Sequence, residues 1–157
     1  MNAHQTEEAA TGPMRPPVTG TDLGLLVLRL GLGIVFVAHG SQKVLGLFGG
    51  HGLAGTVQFM GSIGIPAPLA YLACFTEFLG GLGVLGGLLA RLSGLGLAIV
   101  MAVAIVRVHL SKGFFAPSGF EYPFALLAMA LAVTIAGPGR IAIADLEGRL
   151  LGRRRGA

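Results

Sequence analysis

At 157 residues, 54% of them hydrophobic and 11% charged, with a mean hydropathy of +0.80, the chain falls outside the range of soluble domains and reads as an integral membrane protein. The pI of about 10 does not point to nucleic acid, because the basic residues flank apolar spans instead of forming a soluble basic domain, as the positive-inside rule describes. The single cysteine, Cys74, excludes an intramolecular disulfide and any Cys-x-x-Cys redox or zinc motif.

Residues 1–20 hold Glu7, Glu8, Pro13, Pro16 and Pro17 without an apolar run. They lack the h-region of a signal peptide and read as a disordered tail. Thr21 or Asp22 is placed to cap a first helix from about Leu23 to Val44, long enough to cross ~30 Å of hydrocarbon. At ~100° per residue, Arg29, Gly33, Phe36, Gly40 and Lys43 share one stripe of this helix, with His39 at its edge. An ionised side chain at membrane depth costs roughly 2.5 kcal/mol or more, so that stripe must face other helices or a wet cavity.

A glycine-rich stretch follows, with a short amphipathic piece around Leu53 to Met60 that suits the membrane interface better than a crossing. Pro66 and Pro68 then open a second span, to about Leu89, with Glu77 near its midpoint. Its Gly83-x-x-x-Gly87 offers a smooth face for close helix approach. Arg91 marks a tight turn into a third span, about Leu92 to Leu110, with Arg107 and His109 in its last turn. Ser118-Gly-Phe-Glu121 matches a capping box, which starts the fourth helix near Gly119, and Gly137-Pro138-Gly139 stops it after Ala136.

The expected fold is an all-α membrane protein: a four-transmembrane-helix bundle over residues 21–139, with an interfacial segment between helices 1 and 2 and a basic tail over 140–157. Arg15, Arg91, Arg140, Arg149 and Arg153 to Arg155 lie on one side, against Lys43 and Lys112 on the other. Both termini are therefore expected in the cytoplasm, with the Arg153 to Arg155 cluster held against anionic lipid.

This topology gathers His39, Lys43, His109, Lys112 and Glu121 near the outer end of the bundle, above Glu77. Glu77 is either a structural ion-pair partner or a proton relay, and by depth alone Arg107 is placed to meet it. His39 and His109 could in principle ligate a haem or, with Glu121, a metal, but two histidines without fixed spacing support hydrogen bonding better, and no metal is expected. Lys43 and Lys112 are also placed to snorkel, and Phe114 and Phe115 to anchor at the interface. The candidate catalytic set is Glu77, His39 and His109; the candidate pocket adds Arg29, Lys43, Arg107, Lys112 and Glu121.

The pattern Arg29-x3-Gly33-x2-Phe36-x2-His39-Gly40-x2-Lys43 resembles the first helix of the DoxX family of small membrane proteins. The likeness continues through Gly64-Ile-Pro66, Glu77 and its glycines, His109 with Gly113-Phe114-Phe115, Glu121, and Gly137-Pro138-Gly139 followed by Asp145, covering about Asp22 to Leu150. It implies a four-helix membrane fold in a bacterial inner membrane and favours pairing Arg29 with Glu77. It also implies a redox role, since relatives include the membrane subunit of a thiosulfate:quinone oxidoreductase and a membrane partner of a superoxide dismutase and a sulfurtransferase. More distant relatives act as cargo receptors or assembly chaperones.

Three functions follow from these residues. The first is a redox subunit that binds a quinone, or a soluble oxidoreductase or sulfurtransferase, at the polar column. The second is a non-catalytic scaffold or chaperone. The third is a small-solute transporter, whose pathway through four short helices is narrow without assembly into a homo-oligomer.

Overall fold

The computed structural model describes residues 17–144 together with 146 and 147. The expectations for the first sixteen residues, Asp145 and the terminal arginines lie outside them. The described residues form helices α1 (Gly20–Val44), α2 (Gly52–Ser62), α3 (Ala67–Gly86), α4 (Ala90–Ala104) and α5 (Glu121–Ala136). A π turn, Ile105–His109, and a 3-10 turn, Leu110–Lys112, carry α4 onward. Three continuous helical stretches, Gly20–Val44, Ala67–Gly86 and Ala90–Lys112, are long and apolar enough to cross a membrane. α5 is a shorter apolar helix, whose 16 residues reach about 24 Å.

The helices run alternately. α1 and α4 start, and α3 and α5 finish, at what we term the proximal end; α2 and the α4–α5 connection lie at the distal end. α1 packs on α3, α3 on α4, and α4 on α5. Leu32, Phe36, Val84, Ala90, Leu97, Met101, Leu126, Ala130 and Val133 fill the centre, while Val27, Ile34, Leu72, Leu79, Ile99 and Ile135 are exposed. An apolar surface around a packed core is what a lipid solvent requires. The chain is a helical membrane bundle.

Local details depart from expectation. The N-cap of α1 is Thr19, not Thr21 or Asp22: its hydroxyl accepts from the Asp22 amide, and Asp22 accepts from the Thr19 amide. This reciprocal box satisfies two donors where either residue alone would satisfy one. Close helix approach uses Gly33, Gly40 and Gly81 between α1 and α3, and Gly83 between α3 and α4, but not Gly87. A Cβ on Gly40 would stand 2.5 Å from Phe78 Cα, and one on Gly81 2.8 Å from the Val37 nitrogen. A Cβ on Gly83 would collide with Ser93 of α4, while Gly87 ends α3 in the left-handed region. Ser118 does not cap α5, whose first turn has Phe120 at its N-cap. Glu121 instead accepts from the Ala116 amide at 2.8 Å, folding its side chain back over the preceding loop.

Candidate functional site

The stripe read from the sequence is the buried face of α1: Arg29, Leu32, Gly33, Phe36 and Gly40 are all buried. Its two charged ends do different things. Arg29, 1% exposed, lies at the proximal end and makes no ion pair with Glu77. Its Nε donates to Val84 O (2.9 Å), Nη2 to Leu85 O (3.1 Å), and Nη1 to Pro138 O (2.5 Å) and Ile141 O (2.7 Å). The last carbonyls of a helix have no intrahelical donors, and unsatisfied carbonyls in an apolar bundle are costly. Arg29 therefore closes the end of α3 and ties it to the segment after α5.

Arg91 does the same for α5. Its Nη1 donates to Thr134 O at 2.9 Å and also to Ile135 O, and Nη2 donates to Ala136 O at 3.0 Å. Residues 140–147, read from sequence as the start of a tail, are built into this end where they are described. The Arg140 amide donates to Asp22 at 2.9 Å, the Ile143 amide to Gly86 O at 3.0 Å, and Glu147 accepts from the Arg91 and Leu92 amides.

The other end of the stripe holds the site. Lys43 Nζ donates to Glu77 Oε1 at 2.5 Å, the salt bridge found among the described residues, joining the last turn of α1 to the middle of α3. The carboxylate side chain is 2% exposed and the lysine 29%. The tight Gly40–Phe78 crossing one turn before Lys43 brings the two backbones near enough for this contact. Cys74, fully buried, precedes Glu77 by one helical turn on the same face of α3.

The expected partners of Glu77 are thus both replaced. Arg29 is committed to four carbonyls, and Arg107, exposed on the π turn, donates to Ile63 O at 2.6 Å across the end of α2. Lys43 faces Glu77 in the interior and does not snorkel away from it. The distal residues do not converge on this pair: His39 is exposed, with its ring 6.4 Å from that of Tyr122, His109 Nδ1 lies 2.9 Å from Ser118 O, Glu121 holds Ala116, and Lys112 is exposed.

The pair has unused bonding capacity. An ammonium has three donors and a carboxylate about four acceptor positions, and their mutual bond uses one of each. Arg29, by contrast, gives four of its five donors to backbone carbonyls.

Apolar helices of spanning length, packed through glycine and holding a buried carboxylate paired with a half-buried lysine, define a polytopic helical membrane protein. The chain belongs to the DoxX family, whose model matches residues 24–110. It is 37% identical over 113 residues, 72% of this chain and 80% of the relative, to the protein named "Putative oxidoreductase CatD" of Bacillus subtilis (strain 168). It is 38% identical over 74 residues, 47% of this chain and 52% of the relative, to "Inner membrane protein YqjF" of Escherichia coli (strain K12). No solved structure matches it.

Proposed function

We propose that this protein is the membrane subunit of a redox system and that Lys43 and Glu77 bind the headgroup of a quinone. The observation that supports this is the ion pair itself: a carboxylate 2% exposed and a lysine 29% exposed, with donors and acceptors to spare, set in apolar surroundings. A quinone ring offers two carbonyl oxygens on an apolar frame. Lys43 donates to one of them, and Glu77 is the group through which a proton reaches that oxygen as it is reduced. Reduction to the quinol takes two electrons and two protons, and the electrons come from a soluble oxidoreductase or sulfurtransferase docked on the bundle. The name of the Bacillus subtilis relative agrees with such a role.

In this reading the proximal end, with Arg91 and Arg140, faces the cytoplasm of a bacterial inner membrane, and the inner-membrane name of the second relative agrees with the location. The chain assembles as a homo-oligomer in the same membrane.

Binding of a short-chain benzoquinone to the purified protein tests the assignment. Lys43→Met combined with Glu77→Gln removes both charges together, and is expected to weaken binding by about tenfold or more, the loss of one charge-assisted hydrogen bond. Unchanged affinity in that double variant refutes the site.

A further inference from the structure

α1 ends at Val44, one residue beyond Lys43. Gly40 lies against Phe78 of the antiparallel α3, so the first residues of α3, roughly 10 Å of helix, extend beyond the end of α1 on the distal side of the ion pair. α2 packs on both α1 and α3, and because the chain enters it from the end of α1 and leaves it for the start of α3, it caps the distal end of these two helices.

This cover is lightly seated. Of the 11 residues of α2 only Thr56 is buried, and its hydroxyl is turned to Gly52 O within the same helix. An element with so little buried surface opens at low free energy unless its ends are fixed. Its start is fixed by the turn after α1, where the Leu47 amide donates to Ser41 O at 3.3 Å and Gln42 Nε2 to Phe48 O at 3.2 Å. At its other end Arg107 Nη2 donates to Ile63 O at 2.6 Å. The seat is shaped for this contact. Gly64 has φ of +79°, and a Cβ there would stand 2.5 Å from Arg107 Nη2.

We propose that α2 is a gate over the Lys43–Glu77 pair and that Arg107 is the latch that holds it shut, one helix reaching from α4 across the start of α3. The latch sits on the π turn of α4, a break in regular helix of the kind often found where function needs one. The inference rests on the pair being a site that a ligand must reach.

Cys74 tests it without any engineered label. It is the chain's one cysteine, fully buried and one turn from Glu77, so its rate of reaction with N-ethylmaleimide in the purified full chain reports exposure of that face. Arg107→Gln and, independently, Gly64→Ala are expected to speed the reaction by about tenfold, the weight of one charge-assisted hydrogen bond, whereas Glu147→Ala, which lowers global stability from the opposite end of the bundle, is expected to leave the labelling rate unchanged. Arg107→Lys, which keeps a donor, falls between. Labelling within about twofold of the unsubstituted protein in both variants overturns the latch, and so does equal acceleration in Glu147→Ala, which assigns the effect to global unfolding. No ligand enters this assay, so the failure of quinone binding and the failure of the gate are separate results.

Discussion

Lys43 and Glu77 meet at 2.5 Å with unequal exposure, 29% for the lysine side chain and 2% for the carboxylate. The two halves of the pair are therefore not interchangeable. Lys43→Met strands a buried carboxylate and is expected to destabilise the bundle by about 3 kcal/mol. Glu77→Gln leaves an ammonium that can still reach the surface, and about 1 kcal/mol is expected. The double variant is expected to be more stable than Lys43→Met alone. Unfolding of the four proteins in mixed micelles closes the cycle, and equal costs for the two single variants contradict the burial difference.

The two proximal arginines give a second contrast. Arg29 satisfies four carbonyls at 1% exposure, whereas the carbonyls of Ile135 and Ala136 that Arg91 serves lie on exposed residues. Water or headgroups can replace Arg91 but not Arg29. Arg29→Lys, with three donors and no planar fork, is expected to cost at least about 2 kcal/mol, and Arg91→Lys about 1 kcal/mol or less. Thermal unfolding of the two variants under one condition checks the order.

These arginines also show how far the sequence carries a reader. The helical period of α1 marks its buried face from Arg29 to Gly40, with the half-buried Lys43 at its end, because one helix placed against others repeats every 3.6 residues whatever the partner. The period says nothing about which partner. Arg29 looked like an ion-pair residue because a buried cation requires compensation, yet backbone carbonyls 55 to 112 positions away supply it. Depth along a regular α4 puts Arg107 beside Glu77, but a π turn carries it and it reaches Ile63. Ser118 and Glu121 have the spacing of a capping box, but α5 starts at Glu121 with Phe120 as its N-cap, and Glu121 turns back to the Ala116 amide. The fold was legible because hydropathy and spacing are local properties. The pairing at Glu77 was not, since it depends on the glycine crossing that sets the offset of α1 against α3.

The start of α4 is an example of long-range capping that can be measured at single amides. Its N-cap, Leu89, has φ of +47° and provides no side-chain acceptor. Glu147 accepts from the Arg91 amide at 2.9 Å and the Leu92 amide at 2.8 Å, two of the four donors a helix start leaves unmet. Glu147→Ala is expected to cost about 1 kcal/mol. Hydrogen exchange at Arg91 and Leu92 is expected to quicken while amides in the middle of α4 keep their protection. A uniform loss of protection along α4 contradicts a local cap.

Two glycines of α1 provide opposite expectations for the same substitution. In a helix, Gly→Ala is favourable by roughly 0.5–1 kcal/mol when nothing obstructs the new methyl group. At Gly31 the nearest neighbour of a Cβ is Met129 Cε at 4.0 Å, so Gly31→Ala is expected to stabilise by about that amount. At Gly40 the Cβ would stand 2.5 Å from Phe78 Cα and 2.6 Å from its nitrogen. Backbone cannot rotate away as a side chain can, so α1 and α3 must part, at a cost of about 2–3 kcal/mol. Parting them lengthens the Lys43–Glu77 contact one turn on. The Gly40→Ala background is therefore expected to shrink the coupling between Lys43→Met and Glu77→Gln, while the Gly31→Ala background leaves it whole. Undiminished coupling in Gly40→Ala means that the crossing does not set the pair.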